Sequence, residues 1–467
     1  MSSPALFQFP PELKDSFTKT DGLRLSDGTN VGSSDIWNFM TEEGVRRFPR
    51  SYQLGVQFQG QISQDAEFFS GVKYKYLYLT VRDRIEKARK NDIPTVLVQG
   101  GQSYEPYYAA GTIPLRPGFI INWAKDKEEG LDVRGADWRG NSIMEKGRRD
   151  VGIEVCNQIT AHAAVQEGEV DVDLIAPYLN LRCSDMAYLV EAHRHGKKQI
   201  PLQVVDYPID NPRNTPRAVN LLSQELRKLV SNISQITGRP VPDDDLRKKI
   251  HDFNKVRGLA REFEAIWQSA DIPPTNSTDL RNLSYSANEP MADVTATLSL
   301  LEQAVAEVRD RVERGVRGHG LVEDPVRVFV CGSCVTANPV FVDAVGGVIV
   351  GHDDQWSEVL TDVAEEGDPY VNLAKGILSQ PYELPTIERA KWTAAEVKRT
   401  RADGLMFIYN WGCQFQSTVA RMVADIVKKE TGVPTLVMSV GELSKTETTE
   451  QSQNRIESFI ELLRYSR

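Results

Sequence analysis

The chain has 467 residues, of which 40% are hydrophobic and 26% are charged, and its formal net charge is −10. This length is enough for two or three domains with their own cores, and the acidic balance argues against a general nucleic-acid binder. No apolar run approaches the roughly 20 residues of a membrane helix, and the start, MSSPALFQFPPELKDSF, lacks the features of a secretory signal. We therefore expect a cytoplasmic protein with no nucleic-acid or membrane partner.

Residues 1–90 are predicted to form an N-terminal arm or helical cap. The segment GLRLSDGTNVGSSD is rich in glycine, serine and aspartate, as loops are. The apolar positions of YKYLYLTVRDRIEKARKN then recur with helical spacing. We therefore expect this arm to be mostly helical.

Residues 91–212 are predicted to form a first α/β lobe. Short runs that are apolar on both faces, which are typical of buried parallel strands, alternate there with helical segments such as SDMAYLVEAHRHGK. The strand-like runs are IPTVLVQGG, TIPLRPG, VDLIAPYLN and IPLQVVDYP. This alternation indicates a parallel sheet covered by helices.

Two further segments complete the predicted architecture. In residues 213–322, apolar side chains recur three and four positions apart, and Asp243 to Asp245 stand where a helix N-terminus favours acids, so this segment is predicted to be a helical connector. In residues 323–467, strand-like runs such as PVRVFVCGS and GLMFIYNWG alternate with helical segments again. The predicted fold is therefore α/β, with two parallel-sheet lobes joined by a helical connector.

Two of the five cysteines follow predicted strands, where parallel sheets bind ligands. Cys183 and Cys413 each stand near the first turn of the next helix, where the helix dipole favours a thiolate. Cys156 lies early in another helical run, and three converging thiolates would suit a soft metal or an iron–sulfur cluster. The alternatives are ordinary buried thiols or a cysteine nucleophile, for instance Cys156 with His162.

The remaining cysteines, Cys331 and Cys334, form a C-x-x-C pair after a strand. A zinc site would need two more ligands, and there is no second C-x-x-C. A redox pair would be expected in a thioredoxin-like context, which is not evident. We interpret both as incidental thiols at a strand end. The chain also has no phosphate-binding glycine motif of its own.

The two lobes share a short pattern. APYLNLRCSDMAYLV in the first lobe and FIYNWGCQFQSTVA in the second both run from an apolar strand through Asn-x-x-Cys into a helix. Asn180 and Cys183 correspond in this pattern to Asn410 and Cys413. Because so short a match also arises by chance, an internal duplication is a hypothesis at this point.

Four parts of the chain carry a family resemblance: GGQSYEPYYAAGTIPLRPG, LNLRCSDMAYLVEAHRHGKKQIPLQVVDYP, ITGRPVPDDDLRKKIHDFNKVRGL and the C-terminal segments that begin with DGLMFIYNWGCQ. Together they resemble the 2-hydroxyacyl-CoA dehydratase family, which also contains the ATP-dependent benzoyl-CoA reductases. GGQSYEPYYAAGTIPLRPG resembles the family's P-x-E-x-x-x-AAG-x-x-P segment, although here Tyr104 precedes Glu105 and Pro106 follows it. The segment around Cys183 resembles the one that carries the family's second cluster cysteine. ITGRPVPDDDLRKKIHDFNKVRGL is similar to its connector helices, and DGLMFIYNWGCQ, GVPTLVMSVGE and EQSQNRIESFIELL are similar to its C-terminal lobe. The match spans roughly Ile93 to Leu463.

The resemblance implies flavodoxin-like lobes around a [4Fe-4S] cluster. The three cysteine ligands would be Cys156, Cys183 and Cys413, and the fourth iron position would be open to water or substrate. Gly412 would let the backbone turn close to the cluster. Trp411 would shield the cluster from water, with plain core packing as the alternative role.

The resemblance also implies a one-electron reaction on an acyl-CoA thioester. A separate ATP-hydrolysing iron–sulfur activator, supplied by ferredoxin, would inject an electron and produce a ketyl radical anion. Family enzymes pair two homologous catalytic subunits. A dehydratase then expels the 2-hydroxyl group, whereas a reductase converts the aromatic ring to a cyclic diene.

One departure from the family pattern affects the choice of reaction. In a dehydratase we would expect an acidic residue shortly after the AAG segment, but TIPLRPGFIINW has none before Asp126. This favours a benzoyl-CoA-type reductase, with an (R)-2-hydroxyacyl-CoA dehydratase as the alternative and a non-catalytic electron-relay subunit as a third reading. Ser103 and Glu105 are candidates for contacting the thioester, although Glu105 also suits a helix N-terminus.

Overall fold

The computed structural model describes most of the chain. It covers residues 5–52, 65–98, 103–116, 149, 159, 163, 172–179, 183, 186–196, 200–208, 214–332, 337–353, 361–410, 412–440 and 449–467. Three predicted functional positions, Cys156, Cys334 and Trp411, lie outside these residues, as does Asn180. None of the helices in the described part of the chain is long and apolar enough to cross a membrane.

The N-terminal arm is mostly helical, as predicted. Its elements are α1 (Lys14–Thr18), the hairpin strands β1 (Leu23–Arg24) and β2 (Asn30–Val31), α2 (Ser33–Asn38), α3 (Gly44–Arg47), α4 (Phe69–Leu79) and α5 (Val81–Lys90). The buried Lys73 of α4 holds the arm together, because its ammonium group donates to Thr20 Oγ1 at 2.9 Å and to the Asp21 carbonyl oxygen at 2.7 Å.

The first lobe is a parallel sheet with helices. It contains β3 (Thr95–Val98), α6 (Glu105–Ala109), β4 (Ile113–Leu115), β5 (Leu174–Ala176), β6 (Tyr178–Leu179), α7 (Met186–His195) and β7 (Val205–Asp206). β3 pairs with β4 on one side and with β5 on the other. β5 and β6 are separated only by Pro177 and together form one interrupted strand. Ile175 of β5 forms a parallel bridge with Leu202, and β6 pairs with β7, so both parts lie beside the same neighbouring segment. Among the described strands of this lobe, the spatial order is therefore 2-1-3-4, which matches the first four strands of the flavodoxin-like order.

The connector consists of α8 (Pro216–Thr237), α9 (Asp243–Ser269), α10 (Ser277–Tyr285) and α11 (Val294–Glu313). Thr215 caps α8 by accepting the backbone N–H of Ala218 at 3.1 Å, with proline at the first helical position. Gly238 ends the helix in the left-handed conformation, at φ 66°. α9 packs against α11 and buries Phe263 and Trp267 completely.

The second lobe repeats the parallel arrangement. Its elements are β8 (Val326–Gly332), α12 (Pro339–Ala344), β9 (Gly347–Asp353), α13 (Pro369–Leu378), α14 (Thr386–Arg399), β10 (Gly404–Asn410), α15 (Gln414–Thr431), β11 (Thr435–Val440) and α16 (Thr449–Tyr465). The sheet order is β11-β10-β8-β9 with every pair parallel. Counted within the lobe, this is again 2-1-3-4. The predicted α/β fold with two flavodoxin-like lobes, a helical connector and a helical arm is confirmed.

Candidate functional site

Cys183 and Cys413 occupy equivalent places in the two lobes. Cys183 follows β6, the end of the third strand of the first sheet, and precedes α7. Cys413 follows β10, the third strand of the second sheet, and precedes α15. In a 2-1-3-4 sheet the topological switch point lies between the first and third strands, and ligands bind there beyond the carboxyl ends. Both thiols therefore follow strands that border a switch point.

The local fold at Cys413 presents the side chain at a helix N-terminus. Cys413 is the N-cap residue of α15, and its carbonyl oxygen accepts the N–H of Ser417 at 3.0 Å. Gly412 has a φ of 79°, a conformation that side chains with a Cβ rarely adopt. Cys413 is half-buried and stands at the positive end of an 18-residue helix, a position that in general favours a thiolate.

The predicted set of three cluster ligands is not seen as a set. Cys156 lies outside the described residues, and within the described ones no three His, Cys, Asp or Glu side chains are grouped as a metal would need. Cys183 and Cys413, the two predicted ligands that are described, are half-buried thiols that follow third strands. Soft thiol donors at partly open positions fit an iron–sulfur centre.

A buried ion pair lies at the carboxyl end of the second sheet. Asp353, the last residue of β9, accepts from Arg389 Nε at 2.9 Å, and both side chains are almost fully buried. Thr393 Oγ1 donates to the same carboxylate at 2.7 Å. Burial alone would lower the pKa of Arg389, but the carboxylate of Asp353 more than offsets this and raises the pKa above its usual range.

The ion pair connects β8 to α15, the helix that follows Cys413. Cys331 stands opposite Asp353 in the β8–β9 register, and its thiol donates to Asp353 Oδ2 at 3.1 Å. From the other side, Arg389 Nη1 donates to Oε1 of Gln416, in the first turn of α15, at 3.4 Å. Cys331 is therefore part of a structural network at the base of the candidate site.

Of the two predicted candidates, Glu105 is the first residue of α6 and Ser103 lies two positions before that helix. The carboxylate of Glu105 is 1% exposed and accepts from Nη1 of Arg257, on α9, at 2.9 Å. Ser103 is half-buried two positions earlier. The observed partner of Glu105 thus comes from the connector, and its location in the first helical turn matches the expectation from the sequence.

A carboxylate that sequence reasoning missed lies near this segment. Glu289, in the loop between α10 and α11, is 7% exposed. Its Oε2 accepts from Arg116 Nη1 and from the hydroxyl of Tyr104, both at 3.3 Å. Burial raises the pKa of Glu289 to about 7, although Arg116 opposes the shift. The side chain can therefore hold or release a proton near neutral pH.

The position of Glu289 bears on the missing acid after the AAG segment. Arg116 belongs to the TIPLRPG stretch, directly after β4, where the sequence offers no carboxylate. The fold brings the carboxylate of Glu289 there from 173 positions away. No local pattern in the sequence marks this residue, because the contact depends on how the connector packs against the first lobe.

Comparison with known proteins identifies the family. A family model described as "2-hydroxyglutaryl-CoA dehydratase, D-component" matches residues 103–463, which is more than half of the chain. No curated protein matches significantly. The matched range covers both cysteine-bearing strand ends, the connector and most of the second lobe. The chain therefore belongs to the 2-hydroxyglutaryl-CoA dehydratase D-component family, within the broader group of 2-hydroxyacyl-CoA dehydratases and benzoyl-CoA reductases.

Proposed function

We propose that this chain is the iron–sulfur subunit of an enzyme that acts on acyl-CoA thioesters by radical chemistry. The observation that carries the proposal is the equivalent placement of Cys183 and Cys413 after the third strands of two flavodoxin-like sheets. With Cys156, they would hold a [4Fe-4S] cluster with one open iron position. Such a cluster supplies single electrons and an iron site that can bind an oxygen atom.

For the reaction, we favour dehydration of a 2-hydroxyacyl-CoA. Removal of water requires a group that accepts a proton from the substrate and a group that can protonate the leaving hydroxyl. Glu289, with a pKa near 7 and hydrogen bonds from Tyr104 and Arg116, is suited to such proton transfer. The family model, named for a dehydratase, supports the same choice.

A benzoyl-CoA-type reductase is the second candidate. It is favoured by the absence of an acidic residue in TIPLRPGFIINW. Reduction of an aromatic ring to a diene takes two electrons and two protons. Glu289 and Tyr104 would also be suited to supply these protons. Their arrangement therefore does not distinguish the reductase from the dehydratase.

The proposed enzyme needs partners. We expect a homologous second catalytic subunit, an ATP-hydrolysing iron–sulfur activator and a ferredoxin, because the chain contains no phosphate-binding glycine motif of its own. In this proposal, Ser103 and Glu105 lie at the thioester end of the site and Trp411 shields the cluster. Glu105 would be held in place by Arg257.

The test is electron stoichiometry in the anaerobic complex of this chain with its activator and partner subunit. Dehydration returns the electron, so trace reductant should support many turnovers of a 2-hydroxyacyl-CoA. Ring reduction consumes two electrons per product, so product should stop at half the electrons supplied. The first result supports the dehydratase and the second the reductase, whereas no turnover of either substrate would contradict both.

A further inference from the structure

The loop that carries Glu289 contains a turn with an unusual backbone. The carbonyl oxygen of Pro290 accepts the N–H of Asp293 at 2.8 Å and closes this turn. The two residues between them, Met291 and Ala292, have φ values of 49° and 63°. Two consecutive positions at positive φ are usually occupied by glycine, asparagine or aspartate. Because a larger or branched L side chain fits this region poorly, the turn holds backbone strain.

Such strain persists only where the surrounding structure fixes it, and it occurs preferentially at functional sites. In the described part of the chain, the other non-glycine residues at positive φ, Asp92 and Arg401, stand singly. Met291 is 3% exposed, so the turn is packed inside the protein. The hydroxyl of Thr297 also donates to the carbonyl oxygen of Pro290 at 3.0 Å.

Arg84 of α5 holds the middle of the turn from the N-terminal arm. Its Nη2 and Nε donate to the carbonyl oxygen of Met291 at 2.9 Å and 3.3 Å. The same guanidinium donates to the Leu77 carbonyl oxygen at 2.5 Å and to Thr80 Oγ1 at 2.7 Å. Hydrogen bonds from a charged donor are stronger than neutral ones. Arg84 therefore ties the turn firmly to the junction of α4 and α5.

The hairpin of the arm holds the end of the turn. Ser26, in the loop after β1, donates to Asp293 Oδ2 through its backbone N–H at 2.9 Å and through its hydroxyl at 3.0 Å. The same carboxylate caps α11 by accepting the N–H of Ala296 at 2.8 Å. The arm thus contacts the turn at both Met291 and Asp293, although the family match begins only at residue 103.

Glu289 directly precedes the strained turn. Its carboxylate reaches into the first lobe, where it accepts from the Tyr104 hydroxyl and from Arg116 Nη1. The backbone N–H of Met291, the first strained residue, interacts with the same carboxylate. The direction of the Glu289 side chain therefore depends on the backbone conformation of the turn.

We propose that the N-terminal arm holds this turn in its strained conformation and thereby fixes the Glu289 carboxylate against the first lobe. Arg84 and Ser26 are then positioning residues, because they act on the site through the turn. Without them, Met291 and Ala292 would relax towards negative φ, and the carboxylate would leave its partners. The inference rests on the proposed function only where it concerns catalysis, because the placement of Glu289 can be measured on the chain alone.

The protonation of Glu289 can be followed in the purified chain. Tyrosine and arginine side chains titrate well above neutral pH, and the described side chains that interact with Glu289 are of these two types. They are Tyr74, Tyr104, Tyr108 and Arg116. Burial raises the pKa of Glu289 to about 7, so Glu289→Gln should remove a fall in stability between pH 4.5 and 7.

The test is to repeat Glu289→Gln in chains that lack one contact of the arm. In an Arg84→Met background the carboxylate should be more exposed, so Glu289→Gln should have less than about half of its wild-type effect on the urea midpoint. The control background is Arg24→Met, which breaks an exposed ion pair between the arm and Glu302 of the connector. There, Glu289→Gln should keep its full effect. The same full effect in the Arg84→Met background would overturn the proposal.

A rescue variant tests the role of strain. Glycine adopts positive φ without strain, so Ala292→Gly added to Arg84→Met should restore part of the lost effect of Glu289→Gln. A general loss of stability would not be repaired in this way, and failure of the rescue would contradict the role of strain. Should Arg84→Met fail to fold, Arg84→Lys keeps the charge but has one nitrogen where arginine uses three. An undiminished effect of Glu289→Gln in that variant would equally contradict the proposal.

The consequence for catalysis has its own readout. In the complete enzyme, Arg84→Met should lower kcat about tenfold and leave KM unchanged, because it misplaces a group that moves protons. Arg24→Met should change neither constant. If Arg84→Met releases Glu289 in the chain but retains full kcat, the arm does position Glu289 and its link to catalysis is wrong. No turnover by the wild type would instead count against the proposed function.

Discussion

Cys183 and Cys413 lie at matching points of two sheets that share the strand order 2-1-3-4. Each follows the third strand of its lobe and precedes a helix. The shared order and the shared position support the internal duplication that the Asn-x-x-Cys pattern suggests. A duplicated lobe offers a simple way to bring thiols from distant parts of a chain to one centre.

The turn before Cys413 should depend on glycine. Because Gly412 has a φ of 79°, Gly412→Ala should lower the free energy of unfolding by about 1–2 kcal/mol. Gly258 is the matched control, since it lies inside α9 with open space around its Cα. Gly258→Ala should stabilise the protein by up to about 1 kcal/mol. Urea denaturation measures both, and the same sign for the two variants would contradict this account of the turn.

The Asp353–Arg389 pair should be essential to the second lobe. Arg389→Met leaves a buried carboxylate without its cation, so it should lower the free energy of unfolding by about 3–5 kcal/mol. Arg421→Met, which breaks an exposed pair with Asp425 on α15, should cost less than about 1 kcal/mol. Chemical denaturation of the two variants compares them. Similar losses in both would mean that the buried network does not support the sheet end.

Glu289 should make stability depend on pH. Its pKa of about 7 in the folded protein exceeds the ordinary glutamate value of 4.5, so the folded state binds more protons than the unfolded state between these values. Stability from this group should therefore fall as pH rises from 4.5 to 7. Glu289→Gln should remove this fall. Denaturation curves across that range test it, and identical pH slopes for wild type and variant would show that Glu289 is ionised like an exposed acid.

The buried Lys75 should make the protein more stable as the pH rises, which is the opposite of the effect expected from Glu289. The Lys75 side chain is buried near Asp279, and burial lowers its pKa to about 7 from the ordinary lysine value of 10.5. The unfolded state then binds more protons between these values, so stability should rise as pH increases from 7 towards 10. Lys73, whose pKa burial lowers to about 8, adds to this trend. Lys75→Met should flatten the rise; if the rise is unchanged, Lys75 does not cause it.

Much of the fold could be predicted because its signals are local. Runs such as LMFIYN are apolar on both faces because β10 is buried between helices, and Thr215, Pro216 and Gly238 mark the ends of α8. The positions of Cys183 and Cys413 at strand ends could be predicted from the apolar runs that precede them. These features depend on residues that are close together in the chain.

The contacts that shape the site could not be predicted in the same way. Arg257 and Glu105 are 152 positions apart, and Arg116 and Glu289 are 173 apart. The spacing of apolar residues along the chain does not predict such pairs, because the pairs depend on how the connector packs against the first lobe. The stretch after the AAG segment contains no acidic residue before Asp126, whereas the fold brings a carboxylate to Arg116 from the distant loop that holds Glu289.

The most direct measurement of the central claim is iron and acid-labile sulfide per chain in anaerobically purified protein. We predict about four of each in the wild type and a sharp loss in Cys413→Ala and in Cys183→Ala. Cys331→Ala is the control, because the thiol of Cys331 donates a hydrogen bond to Asp353 and should not be a ligand of the cluster. Absence of iron from folded wild-type protein, or full iron in the Cys183 and Cys413 variants, would contradict the account.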